Sequence, residues 1–256
     1  MTAPVLSSRI LEKPLDVLWG LGADLAIFFI TLWWGTLCLV LMVISRRGWP
    51  ADVLGPIWAR WIVAACGMQV EVEGLEKIDR TGSYVLISNH LSNFDIFVIL
   101  AALPLTIRFV AKKELLRVPI FGQALAWSNH IVIDRSDSEE AIARINAHVA
   151  HVAEHGGESF CILFFAEGTR SPDGKVHPFK KGGVSLAIRT SLPIVPMSVS
   201  GTSKFLPKGR AIIHPRGRVR IVLDRPIDTK SCRLEERDAL NERVRAIVTN
   251  NYIEEY

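Results

Sequence analysis

The 256-residue chain is 49% hydrophobic with a net charge of +4, and its mean hydropathy is +0.26. These values are high for a soluble protein and low for one that is mostly transmembrane, so they point to a globular α/β-sized domain carrying one apolar segment. The small positive balance suits nucleic acid, an anionic membrane surface or a phosphorylated small molecule. Cys38, Cys66, Cys161 and Cys232 are far apart, with no CxxC spacing. They read as free thiols in a reducing compartment, not as a disulfide framework or a metal site.

The apolar segment runs from Leu25 to Ile44 without a charged residue. At about 1.5 Å per residue it covers about 30 Å, the thickness of a bilayer's hydrocarbon core. Asp24 precedes it and Arg46-Arg47 follow it. It begins too deep in the chain, and lacks the small-residue cleavage pattern, for a removed signal peptide. Ile57–Met68 is a second, shorter apolar stretch interrupted by Arg60, with the look of an interfacial or re-entrant segment. Trp19, Trp33, Trp34, Trp49, Trp58 and Trp61 all fall in this N-terminal quarter, and tryptophan favours the headgroup boundary. The alternative for Leu25–Ile44 is a buried core helix. Arg46 and Arg47 place its C-terminal side toward the cytoplasm. Gly48–Gly55 is the expected hinge between the anchor and the domain that follows it.

Beyond residue 68 short apolar runs alternate with helical patterns. Val70–Val72, Tyr84–Ser88, Ile107–Ala111, Ile131–Ile133, Phe160–Phe165, Ile194–Val199 and Val219–Leu223 read as strands. Phe94–Ala102, Glu114–Ala126, Glu139–His155, Gly183–Thr190 and Arg233–Thr249 read as helices, the last with Leu240, Val244 and Ile247 facing inward. The expected fold is α/β: a mixed, largely parallel sheet covered by helices, with an N-terminal hydrophobic anchor of one or two helices. Residues 1–68 form the anchor and 69–256 the catalytic domain.

Two constellations carry chemistry. Asn89-His90-Leu91-Ser92-Asn93-Phe94-Asp95 follows a strand and runs into a helix, at the sheet edge where α/β folds put their sites. With His90 in the turn and Asp95 in the first helical turn, Asp95 would fix the imidazole tautomer. The other ring nitrogen would then take a proton from an attacking hydroxyl. The same spacing also fits a capping histidine and a helix-start aspartate. Phe165-Ala166-Glu167-Gly168-Thr169-Arg170-Ser171 likewise leaves a strand. Gly168 permits a tight turn, Arg170 offers a planar fork for phosphate or carboxylate, and Glu167 can hold the loop by accepting hydrogen bonds. Locally an ordinary turn with a surface Glu–Arg pair fits equally well.

Together the two blocks resemble the glycerolipid acyltransferase family, and more narrowly the 1-acyl-sn-glycerol-3-phosphate (lysophosphatidic acid) acyltransferases. Asn89, His90 and Asp95 match the family's Asn-His-x-x-x-x-Asp block, and Phe165 with Glu167–Ser171 matches its Phe-Pro-Glu-Gly-Thr-Arg-Ser block. Ala166 replaces the usual proline. Asp134-Arg135 matches the end of a further block, with Asn129 and Val132 where glycine and phenylalanine are usual. Leu192–Met197 represents the fourth. The resemblance covers roughly residues 70 to 223 and is more specific for the superfamily than for the acceptor.

The resemblance implies transfer of a fatty acyl chain from an acyl thioester to the free hydroxyl of lysophosphatidic acid, giving phosphatidic acid. His90 would be the base and Asp95 its partner, with Glu167, Gly168, Thr169, Arg170, Lys112 and Arg135 binding substrate and a backbone N–H near Gly168 stabilising the oxyanion. Lys113, Lys180 and Lys181 are weaker candidates, whose other reading is contact with anionic lipid headgroups. No bound cofactor or metal is implied; acyl-coenzyme A or acyl-carrier protein is the donor. The partners are membrane lipids and the lysophospholipid acceptor, without nucleic acid. The implied location is a bacterial inner membrane, with the catalytic domain facing the cytoplasm. Other readings are a different lysophospholipid or an acylated amino-acid lipid as acceptor, a membrane hydrolase, or a non-enzymatic membrane-tethered lipid-binding module. His148, His151 and His155 read as a solvated or partly packed helix face. Among the isolated His130, His177 and His214, His130 is expected nearest the site.

Overall fold

Tyr84–Ser88, buried at every position, is the middle strand of a seven-stranded sheet. The computed structural model describes residues 14–45, 48–118, 121–128, 130–133, 159–209, 212–214 and 216–256, with residues 139, 143 and 146. The strands are β1 (Met68–Glu73), β2 (Tyr84–Ser88), β3 (Ile107–Lys112), β4 (Ile131–Ile133), β5 (Cys161–Phe165), β6 (Ile194–Ser200) and β7 (Gly217–Leu223). Their order is β1-β7-β6-β2-β5-β3-β4. Every adjacent pair is parallel except β6–β7. The sheet is therefore mixed and largely parallel, as the alternating pattern predicts.

Side-chain alternation sorts the strands into two cores. Leu86, Cys161, Leu163, Met197 and Ile221 face one layer, with Ile62 and Val63 of α2 (Trp49–Ala65) and Val98 and Ile99 of α3 (Phe94–Ala102). Val85, Ile87, Ile162 and Ile194 face the other, with Val184 and Ile188 of α5 (Gly182–Thr190) and Leu240, Val244 and Val248 of α7 (Arg237–Asn251). The described residues also form α1 (Pro14–Ser45), α4 (Phe121–Trp127) and the single turn α6 (Thr202–Phe205).

Three expectations need correction. Gly48–Gly55 is not an extended hinge: α2 begins at Trp49, and Pro50 at its first turn fits helix initiation. Glu114–Ala126 is not one helix but a 3-10 turn (Lys113–Arg117) followed by α4, because Pro119 lacks an amide hydrogen and disfavours helical geometry before it. The last helix starts at Arg237, after a 3-10 turn at Leu234–Glu236. Glu139–His155 lies outside the described residues, apart from helical Glu139, Ala143 and Asn146.

The N-terminal helices belong to the same core as the sheet. Trp19, Ile27 and Ile30 of α1 and Trp58 of α2 pack against it. Trp58 Nε1–H donates to Thr31 Oγ1 at 3.1 Å. Arg60, the charge inside the second apolar stretch, donates to the Ala101 carbonyl at the end of α3. Asp52 of α2 pairs with Arg108 of β3, whose guanidinium is buried. The outer face of α1, including Leu25, Phe28, Phe29, Trp33, Val43 and Ile44, is exposed. Val17–Ser45 is long and apolar enough to cross a membrane.

Candidate active site

Strand register decides which motifs meet. In the parallel pair β2–β5, Ser88 stands opposite Phe165, so the segments after them leave the same sheet edge side by side. Backbone bonds continue the pairing: Ala166 N–H donates to Ser88 C=O at 2.9 Å, and Ser171 N–H to His90 C=O at 2.7 Å. His90 and Glu167, each two residues past its strand, are thereby neighbours.

His90 Nδ1 lies 2.7 Å from Asp95 Oδ2. An ionised carboxylate only accepts, so Nδ1 carries the proton and Nε2 presents a lone pair. Asp95 is fully buried, where an uncompensated charge would be prohibitive. Its Oδ2 also accepts the N–H groups of Leu91 (2.7 Å) and Ser92 (3.0 Å). Its Oδ1 accepts the Thr202 hydroxyl at 2.5 Å. The imidazole is 16% exposed, enough to meet a substrate, and stacks on Phe165 with centroids 4.0 Å apart. Asn89, buried beside it, bonds both backbone groups of Val199 at 2.9 Å, tying the end of β2 to β6.

Glu167 bridges the two loops. Its Oε1 accepts His90 N–H at 3.0 Å and its Oε2 accepts His177 N–H at 3.4 Å. Burial pushes its carboxyl up, and these two donors oppose that shift. Gly168 adopts φ +71, the left-handed region that favours glycine. Its N–H donates to Phe165 C=O at 3.1 Å. That amide closes the turn, so an oxyanion donor near Gly168 would have to be another backbone N–H of the loop. Thr169 is exposed and Arg170 half-buried beyond it.

The other expected residues distribute as follows. Lys112 ends β3, which leaves the sheet at the same edge; Arg135, His148, His151 and His155 lie outside the described residues. His130 packs edge-on against Phe109, whose N–H donates to its Nδ1 at 3.4 Å. Among the described contacts, none joins it to His90. Burial, with Arg108 nearby, pushes its pKa down to about 4. His177 joins the site loop instead: besides its amide on Glu167, its Nε2 lies 2.7 Å from Asp173 Oδ1. That contact and its neighbours pull the Asp173 carboxyl down to about 2.

Sequence reading missed Thr202, Lys208 and Tyr252. Lys208 Nζ donates to Thr169 Oγ1 at 3.2 Å and to Arg170 C=O at 2.9 Å. The Tyr252 hydroxyl donates to Gly174 C=O, pinning the site loop to the C-terminal tail. A signal for Thr202 existed: β6 runs parallel to β2, so polar residues just after it emerge at the same edge.

The family described as Acyltransferase matches residues 69–200. The chain belongs to the acyltransferase family. Among curated relatives, a 1-acyl-sn-glycerol-3-phosphate acyltransferase of Limnanthes alba is 34% identical over 188 residues, covering 71% of this chain and 63% of the relative. One of Saccharomyces cerevisiae is 33% identical over 198 residues, covering 73% and 64%. This chain thus spans somewhat under two thirds of those relatives' lengths. The crystal structure of the 1-acyl-sn-glycerophosphate (LPA) acyltransferase PlsC from Thermotoga maritima superposes with a TM-score of 0.73 at 28% identity, covering 91% of this chain and 95% of that one.

Proposed function

We propose that this chain transfers a fatty acyl group from a thioester to the free hydroxyl of lysophosphatidic acid, giving phosphatidic acid. The observation that carries the reading is the His90–Asp95 pair, held by buried donors beside the Glu167–Arg170 turn. His90 Nε2 takes the hydroxyl proton as the oxygen attacks the thioester carbonyl. Asp95 stabilises the imidazolium that forms. The tetrahedral intermediate collapses, the carbon–sulfur bond breaks, and the thiolate recovers the proton from His90. Arg170 takes the acceptor phosphate, with Lys112 and Arg135 as further substrate contacts, while Glu167, Gly168 and Thr169 shape the turn. The curated relatives and the Thermotoga enzyme, named as acyltransferases acting on this acceptor, support the substrate.

The division at residues 68/69 is one of role, with 1–68 as anchor and 69–256 as catalytic domain. The anchor associates with the membrane and lies along one leaflet. A carbon added at Gly20 would stand 2.5 Å from the Ile213 carbonyl oxygen, so the loop at Ile213 closes on the start of α1. Leu39, Val40, Val43 and Ile44, near its other end, line a groove with Gln123 and Trp127 of α4. A helix crossing the bilayer upright would meet the polar domain at one end only. Arg46-Arg47 after α1 favours the cytoplasmic face of a bacterial inner membrane.

The test is acyl transfer by purified protein in detergent from labelled acyl-coenzyme A and, in parallel, acyl-carrier protein, to a panel of lysolipids. Labelled phosphatidic acid from lysophosphatidic acid supports the reading, and the productive donor is identified by the same assay. Transfer to phosphate-free acceptors alone, or release of free fatty acid alone, overturns it.

A further inference from the structure

The Glu-Gly-Thr-Arg turn is reached by two lysines from elsewhere in the chain. Lys180 folds back over Gly168: a Cβ there would lie 2.9 Å from the Lys180 Cδ and Nζ, so the absent side chain leaves the space that the ammonium occupies. Lys208 arrives from the other direction, after β6 and α6, and its Nζ donates to Thr169 Oγ1 and to the Arg170 carbonyl. Among the described residues, Lys180, Lys208 and Arg170 form no ion pair, whereas the nearby Lys181 and Lys175 pair with Asp238 and Glu254. An ammonium has three donors, and Lys208 spends two on neutral oxygens. Its third donor and its whole charge remain for an anion. The segment that delivers Lys208 also braces the His–Asp pair: Thr202 donates to Asp95, and the Leu206 carbonyl accepts the Ser92 hydroxyl at 2.9 Å. The lysine is therefore positioned relative to His90 by the same short stretch of backbone.

We propose that Lys180 and Lys208, with Arg170, form a cationic cradle on the Gly168–Arg170 turn that binds the phosphomonoester of the acceptor. The assignment of that anion to the acceptor rests on the transfer reaction proposed above. A phosphomonoester has enough acceptor oxygens to take Arg170, Lys180 and Lys208 together, and it carries more charge than a diester. The cradle lies beside His90 because Ser171, next to Arg170, donates to the His90 carbonyl. A lysolipid held by its phosphate there would bring a hydroxyl close to Nε2. Lys208 also braces the turn, so a binding role must be separated from a structural one.

Lys208→Gln, Lys180→Gln and Lys208→Arg are compared with the native full-length protein in detergent. For each glutamine variant the KM for lysophosphatidic acid is expected to rise roughly tenfold. The KM for the acyl donor should stay within about twofold of native. Lys208→Arg should restore most of the acceptor KM. An equal rise in the KM for donor and acceptor, or a loss of kcat alone, would make Lys208 a brace of the turn and overturn the proposal. A rise confined to the KM of acyl-coenzyme A would assign the cradle to the donor's phosphates and also overturn it. Equilibrium binding of labelled lysophosphatidic acid is measured on the same proteins. If the native protein binds it without turnover and the glutamine variants bind it roughly tenfold more weakly, the cradle stands and the transfer reading falls. Equal binding by native and variants sinks the cradle whatever the turnover.

Discussion

Asp95 is fully buried, and four donors converge on its carboxyl group, three backbone or imidazole N–H groups and the Thr202 hydroxyl. Thr202→Val keeps the side-chain shape and removes one of them. A hydrogen bond to a charged group is worth about 1.5–3 kcal/mol. Transfer should therefore slow roughly 10- to 100-fold, with the acceptor KM little changed; an unchanged rate would show that Thr202 does not position the pair. The titration of His130 supplies a second test. Its pKa falls from 6.5 to about 4 on folding, so between those values the unfolded chain binds a proton that the folded one does not. Stability should fall as pH drops through that window, by at most about 1.4 kcal/mol per pH unit from this group. His130→Asn should flatten that part of the Tm–pH curve, and an unaltered slope would exclude His130 as its source. Burial also pushes the Cys66 and Cys161 thiols up to about 12. At pH 8 iodoacetamide should spare both in the folded protein and modify them once it is unfolded.

Individual elements were legible in the sequence where local chemistry decides them. Tyr84–Ser88, Ile131–Ile133 and Phe94–Ala102 fall where apolar runs and periodicity place them. The helix expected over Glu114–Ala126 did not survive Pro119, whose effect outweighs the helical pattern around it. Long-range pairings were beyond reach: nothing local shows that Asp52 would meet Arg108, or that Lys208 would reach Thr169, because sheet order decides both. The His90–Asp95 pairing could be read from spacing and turn chemistry, while the neighbourhood of His90 and Glu167 depends on the β2–β5 register. Asp52→Ala tests the buried link between α2 and β3. Leaving Arg108 uncompensated should destabilise the protein by roughly 3–5 kcal/mol, read as a lower denaturation midpoint. Near-native stability would mean that solvent reaches the guanidinium.

At the scale of the whole molecule, the His90–Asp95 pair on an ordinary α/β edge is carried on a platform of two apolar helices that share its core. Transfer to a lysolipid needs the polar site at the headgroup level and the acyl chains in hydrocarbon. A helix hairpin lying along one leaflet meets both requirements. Cysteines introduced at Leu18 and at Arg46 should then react with an impermeant maleimide from the same side of oriented vesicles; labelling from opposite sides would mean that α1 crosses. The central claim is that the His90 imidazole is the base that activates the acceptor. The most direct measurement is single-turnover acyl transfer to lysophosphatidic acid by native protein and by His90→Ala, with lysophosphatidic acid binding measured on both. The account predicts a loss of rate on the order of 10²–10⁴-fold with binding retained. Transfer at the native rate by a folded His90→Ala protein would contradict it.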